Sequence, residues 1–302
     1  MNKVIRIGTR ESQLALWQAN TVKTALEQKG YSCELIPISS AGDIELQTPL
    51  YELGIVGIFT KTLDIALLAN RVDIAVHSMK DVPTTLPKGL VQAAVLKRGN
   101  TQDILVHKGT GFLNKDGVIA TGSLRRKAQW LNKYPNYKVV GLRGNVNTRL
   151  QKLNDNPWNG AIFAKAGLER INVLPENHSV LDWMIPAPSQ GAIMIAARSE
   201  DTSVLKGCAT INHGESAMAT GVEREFLKTL EGGCTAPIGA YADIKDGQLH
   251  FIGCLHSLDG QQEFRIERSI ALKNAEGFGT TMANELLATG AQKLMEQIKR
   301  EL

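Results

Sequence analysis

The chain of 302 residues lacks any uninterrupted apolar run near the ~18 residues that a membrane span needs. Its opening residues, Met1-Asn2-Lys3-Val4-Ile5-Arg6-Ile7-Gly8, set basic side chains inside a strand pattern, which argues against a secretory signal. Cysteine is scarce. Cys33, Cys208, Cys234 and Cys254 lie far apart with no C-x-x-C pair, so neither a zinc knuckle nor a thioredoxin-like site is expected, and reduced thiols in a cytoplasmic protein are the simplest reading. His77, His107, His178, His213, His250 and His256 are scattered without H-E-x-x-H or other ligand spacing, so no metal is expected.

What is present is an uneven distribution of charge. Residues 121–170 hold ten basic residues against two acidic ones, a local excess of eight in a chain whose net charge is +4, so the remainder is net negative. Such a block suits nucleic acid, an anionic surface or a polycarboxylate ligand. Nucleic acid would call for exposed aromatics between the bases, yet Trp130, Tyr134, Tyr137, Trp158 and Phe163 mostly occupy core-like positions. Lys127, Lys133, Lys138 and Lys152 read as a solvated face, whereas several arginines adjoin glycine or strand ends, where side chains converge on a cleft.

Hydrophobic periodicity predicts alternating strands and helices: Val4–Ile7, a helix from about Ser12 to Gln28, Cys33–Ile38, a helix near Thr60–Leu68, and Val72–Val76. A second set follows, with strands at Ile104–His107, Val118–Ala120, Lys138–Leu142 and Ala161–Ala164 and helices over Leu124–Leu131 and Val146–Leu153. The repetition predicts two similar α/β lobes with mostly parallel sheets. Lys97-Arg98-Gly99-Asn100-Thr101 and Pro186-Ala187-Pro188-Ser189-Gln190-Gly191 read as hinges, after which Ala192–Ala197 returns to the first lobe. From about residue 214 a helix carrying Met218, Val222, Phe226 and Leu230, alternating strands, and a long closing helix with Phe278, Met282, Leu286, Leu294 and Ile298 predict a small α+β domain.

Two places carry candidate chemistry. In Glu231-Gly232-Gly233-Cys234-Thr235-Ala236-Pro237 a lone thiol sits among residues that prevent regular structure, so it is either an accessible attachment point or a small buried hydrophobe. The predicted strand Val72–Val76 leads into His77-Ser78-Met79-Lys80-Asp81, and ligands of open α/β sheets bind beyond the carboxyl ends of strands. Asp81, before a Val-Pro turn, is a site carboxylate or a turn former.

These runs, with Ile5-Arg6-Ile7-Gly8-Thr9-Arg10-Glu11-Ser12, Gly122-Ser123-Leu124-Arg125-Arg126 and Leu142-Arg143-Gly144-Asn145-Val146-Asn147-Thr148-Arg149-Leu150, closely resemble the porphobilinogen deaminase family. The resemblance implies an enzyme that condenses four porphobilinogen molecules head to tail with loss of ammonia to give hydroxymethylbilane, primed on a covalent dipyrromethane cofactor. It implies two periplasmic-binding-protein-like lobes, 1–97 with 191–209 and 98–190, and a C-terminal domain over 214–302. By resemblance Asp81 is catalytic and Cys234 carries the cofactor. Asp43, Ser78, Lys80, Thr121, Ser123, Arg125, Arg126 and Arg149 then bind the cofactor, and Arg10, Ser12, Arg143, Arg170 and Gln190 bind substrate. A cytoplasmic monomer that binds neither nucleic acid nor membrane is expected. Pyrroles bearing acetate and propionate arms suit arginine, whose fork holds a carboxylate by two hydrogen bonds. The chain has Val56 in the loop 54–59 and Gly122 before Ser123, where many members carry lysine and a hydroxyl residue respectively. A two-lobed solute-binding protein is the rival reading; it predicts a secretion signal and no need for a reactive thiol.

Overall fold

The computed structural model describes residues 4–39, 60–113, 115–230 and 236–302. Asp43, the loop at 54–59 and Cys234 lie outside them. One compact unit takes its described residues from Met1–Leu46, Ile55–Gly99 and Gly191–Ala217. Its strands are β1 (Ile5–Thr9), β2 (Cys33–Pro37), β3 (Ile74–Ser78), β4 (Leu90–Val95) and β10 (Ile193–Arg198), in the order β2-β1-β3-β10-β4. Helix α1 (Gln13–Glu27) begins where the Ser12 hydroxyl accepts the amide of Ala15 at 3.4 Å, and it buries Ala15, Gln18, Ala19, Val22 and Leu26 along one stripe. Alternate strand residues feed opposite faces: Ile74, Val76, Ile193 and Ile195 pack in the core that holds α1, and Ala75, Met194 and Ala196 in the core that holds α2 (Lys61–Leu68).

The other unit takes its described residues from Gln47–Gly54, Asn100–Gln190 and Met218–Leu302 and contains two sheets. The first joins β5 (Asp103–His107), β6 (Val118–Ala120), β7 (Lys138–Val140), β8 (Gly160–Ala164) and β9 (His178–Val180) in the order β7-β6-β8-β5-β9. Helices α3 (Leu124–Lys133), α4 (Val146–Asp155) and α5 (Lys165–Arg170) follow β6, β7 and β8. The two five-stranded sheets share one plan. Three strands pair in parallel, while β5 and β10, each the first strand after a crossing between the units, run antiparallel to both neighbours. Each lobe is therefore mixed, with two parallel and two antiparallel pairings, because the crossing strand enters reversed.

After α6 (Thr202–Ala209), the helix α7 (Gly214–Thr229) leads to an antiparallel sheet of β11 (Ile238–Lys245), β12 (Gln248–His256) and β13 (Glu263–Ala271). Phe226 lies at the centre, with its ring 5.1 Å from that of Phe251. Two expectations are corrected. Met218 is 41% exposed, outside the buried stripe of Val222, Phe226 and Leu230. The closing helix is two, α8 (Phe278–Leu286) and α9 (Gln292–Glu301), separated by a π turn in which Gly290 takes a left-handed φ of 111°. Among the described residues no helix is long and apolar enough to cross a membrane.

Candidate active site

In the first unit, β1 and β3 run in parallel, with Gly8 opposite Ala75; β3 carries His77 and Ser78 as its last residues, two positions further than the strand expected at Val72–Val76, and the chain leaves β1 at Arg10 and β3 at Met79-Lys80-Asp81. A single 3₁₀ turn over Met79–Asp81 buries Met79 and leaves Lys80 and Asp81 half-buried, where a ligand can meet them. The Ser78 hydroxyl accepts 2.8 Å from the amide nitrogen of Gln18, which is 2% exposed on α1. Beneath them His77 is buried, with Nε2 lacking a hydrogen-bond partner, and burial with the nearby Arg10 cation pushes its pKa down to about 4. It is a neutral imidazole below a cation. Ser12 caps α1, so its hydroxyl already has a structural task.

In the second unit the expected ligands gather beyond the carboxyl ends of the parallel strands β6, β7 and β8. Thr121 and Ser123 follow β6, Arg143 and Arg149 follow β7, and Arg170 closes α5 after β8. Ser123 caps α3 by accepting the amide of Arg126 at 3.4 Å, and Asn145 caps α4 by accepting that of Thr148 at 3.0 Å, so neither Arg143 nor Arg149 is the cap. A methyl group on Gly122 would fall 2.5 Å from the Leu142 carbonyl oxygen, so the loop 121–123 lies tightly against the chain leading to Arg143. Arg170 is pushed down to about 10 by burial.

The densest cluster surrounds Asp103. This carboxylate is fully buried at the start of β5; it takes Arg126 Nη2 at 2.7 Å and Nε at 3.0 Å, Arg125 Nη2 at 2.8 Å and Gln190 Nε2 at 3.0 Å. Arg125 also donates Nη1 to Ile185 O at 2.7 Å, and Arg126 donates Nη1 to Ile162 O at 3.0 Å. Arg125 Nε is buried without a hydrogen-bond partner. Burial lowers the Arg125 pKa against the upward pull of Asp103. Both arginines stand in the first turn of α3, where no acidic residue offsets the positive end of the helix dipole. Among the described residues two buried cations face one carboxylate, which leaves a surplus positive charge, a demanding state unless an anion completes it. A cofactor built of acidic pyrroles fits this set. Sequence reasoning missed Asp103, Gln129 and the buried His77; its one usable signal was a carboxylate opening an otherwise apolar strand, Asp103-Ile104-Leu105-Val106.

The arrangement defines a two-lobed α/β protein with a buried arginine cluster in its second lobe. Residues 5–206 match the family model described as porphobilinogen deaminase, dipyromethane cofactor binding domain, and residues 217–288 match porphobilinogen deaminase, C-terminal domain. The chain belongs to the porphobilinogen deaminase family. It is a transferase of tetrapyrrole biosynthesis that condenses four porphobilinogen molecules on a dipyrromethane cofactor, the hydroxymethylbilane synthase reaction. Among solved structures, it is similar to the periplasmic VFT2 domain of Bordetella pertussis BvgS, at 14% identity over 71% of this chain and 90% of that one with a TM-score of 0.43. It is also similar to the probable amino-acid ABC transporter extracellular-binding protein YtmK from Bacillus subtilis, at 11% identity over 70% and 90% with a TM-score of 0.42.

Proposed function

We propose that Asp81 is the catalytic group, that Cys234 carries the cofactor, and that separate sets of cations bind the carboxylates of cofactor and substrate. The observation that carries the reading is the surplus of buried positive charge at Arg125, Arg126 and Asp103. When bound, dipyrromethane supplies a pyrrole whose free α-carbon accepts the next ring. Thr121, Ser123, Arg125 and Arg149 then hold its acid arms with Ser78, Lys80 and Asp43, while Arg10, Ser12, Arg143 and Arg170 orient the incoming porphobilinogen. Arg126 and Gln190 act in this reading mainly by fixing Asp103, since each already donates to it. Asp81 supplies a negative charge opposite the cation left when ammonia departs, and it accepts a ring proton as the new carbon–carbon bond forms.

The remaining thiols favour Cys234. Burial pushes Cys208 and Cys254 up to about 12 and raises Cys33, which suppresses the thiolate that a thioether needs. We further read the three sheets as three domains with boundaries near 97, 190 and 214, in a cytoplasmic monomer that binds neither nucleic acid nor membrane.

Intact mass tests the reading. Active protein should exceed the mass of its chain by two linked pyrrole units, and Cys234→Ser should lose both this mass and activity. Asp81→Asn should keep the mass in part of the protein and lower turnover roughly 10²–10⁴-fold. Full activity at the bare mass would exclude a covalent primer, and near-normal turnover in Asp81→Asn would move the chemistry elsewhere.

A further inference from the structure

Helix α3 turns one face into its own lobe and another toward the cysteine-bearing domain. Ala128 and Trp130 are fully buried, with Trp130 in the lobe core. Arg125, Gln129 and Asn132, spaced to share a face, reach outward from it instead. Gln129 is 4% exposed and grips the backbone of Ile185 on both sides: its Nε2 donates to Ile185 O at 2.9 Å, and its Oε1 accepts from Ile185 N at 2.8 Å. Arg125 Nη1 donates to the same carbonyl at 2.7 Å. Asn132 donates to Gly260 O at 2.8 Å, in the turn between β12 and β13.

From Ile185 the contact passes directly into β11. The next residue, Pro186, accepts the amide of Ala240 at 3.0 Å. A methyl group on Gly239 would lie 2.9 Å from Ile185 Cγ2, from Ile185 O and from Cys254 Sγ, so the two backbones touch without a side chain between them. Strand β11 opens at Ile238, four positions after Cys234.

We infer that Gln129 is a positioning residue for cofactor attachment. It fixes Ile185 and Pro186, and through them Gly239 and Ala240 at the base of β11, so that the start of this strand is held in register with the helix that presents Arg125. The side-chain type follows from the task. A side-chain amide offers a donor and an acceptor side by side to the N–H and C=O of one residue; a glutamate would lose the donor and add a charge, and an aliphatic chain would leave the Ile185 N–H buried without this partner.

The inference rests on the reading of Cys234 as the attachment point, and the test separates the two. Chain lacking the cofactor is mixed with porphobilinogen, and its conversion to the heavier form is timed by intact mass. Gln129→Met preserves length and removes both hydrogen bonds; Gly239→Ala disturbs the same junction from the opposite side. Trp130→Phe, which reduces packing in the lobe core without touching Ile185, serves as a stability control. Gln129→Met and Gly239→Ala should attach roughly fivefold more slowly or worse, the scale of one net hydrogen bond. Trp130→Phe should attach at the wild-type rate despite a lower thermal midpoint. A wild-type rate in Gln129→Met, or equal slowing in Trp130→Phe, overturns the inference. If Gln129→Met fails to fold, a wild-type rate in Gly239→Ala overturns it instead. An active wild-type protein that gains no mass would refute the role of Cys234.

Discussion

Individual residues here hold charges in states that water would not choose. His256 is 2% exposed on β12, its Nδ1 has no hydrogen-bond partner, and burial with the nearby Arg125 pushes its pKa down to about 4, an effect that Glu263 at 3.6 Å does not offset. In the unfolded chain its pKa returns to about 6.5. Between those values the unfolded state holds a proton that the folded state lacks, so stability rises with pH and is lost as pH falls from about 6.5 toward 4. The full shift corresponds to on the order of 3 kcal/mol. His77 contributes with the same sign. His256→Phe should therefore narrow the difference in urea unfolding free energy between pH 7.5 and pH 4.5 by about 2–3 kcal/mol. An unchanged difference would mean that the imidazole titrates normally in the fold. The position of Asp81 after β3 was legible in the sequence because an apolar strand run precedes it. Asp103 was not: its partners lie more than twenty residues away, and nothing local marks a carboxylate as the counter-ion of a distant Arg-Arg pair.

At the scale of elements, periodicity located most strands and helices because their buried stripes are regular, and α1 with Ala15, Ala19, Val22 and Leu26 is the clearest case. The misses have identifiable causes. β9 has three residues and α5 six, too short to show a period, and β4 carries a mixed burial pattern. Met218 stands at a four-residue spacing from Val222, Phe226 and Leu230, but each such step overshoots the helical turn by roughly 40°, so three steps rotate a residue off the stripe. Close approach is equally hidden in sequence. Gly253 on β12 faces Phe226, and a methyl group there would sit 2.5, 2.9 and 3.0 Å from ring atoms Cζ, Cε1 and Cε2. The ring is fully buried and pinned against Phe251, so it cannot retreat cheaply. Gly253→Ala should cost about 1–3 kcal/mol through overpacking, read as a lower denaturant midpoint at unchanged slope. An unchanged midpoint would show that the helix–sheet seam is looser than these distances.

At the scale of the whole molecule the chain builds the same sheet twice and places different chemistry at the strand ends of each copy. The first carries the aspartate with Arg10; the second carries the arginines that follow β6, β7 and β8. The proposed split of the cations into a cofactor set and a substrate set predicts which stage of polymerisation each serves, and it governs the choice of variant. Arg125→Leu is a poor probe, because Arg125 also holds Ile185 O and Asp103 inside the buried cluster, so its loss confounds binding with folding. Arg149 is half-buried on α4 and Arg10 half-buried after β1, so leucine is tolerable at both. Arg149→Leu removes a charge-assisted pair worth roughly 1.5–3 kcal/mol from a permanent ligand, and it should leave a large part of the protein at the bare chain mass. Arg10→Leu should keep the cofactor mass complete and slow elongation, so that a brief porphobilinogen pulse leaves species with one, two or three added pyrroles in proportions unlike those of wild type. Native mass spectra of the two variants read both effects. If Arg149→Leu is fully loaded and Arg10→Leu gives the wild-type ladder, the cations do not divide into a cofactor set and a substrate set, and the basic stretch after β6 serves as a solvated face.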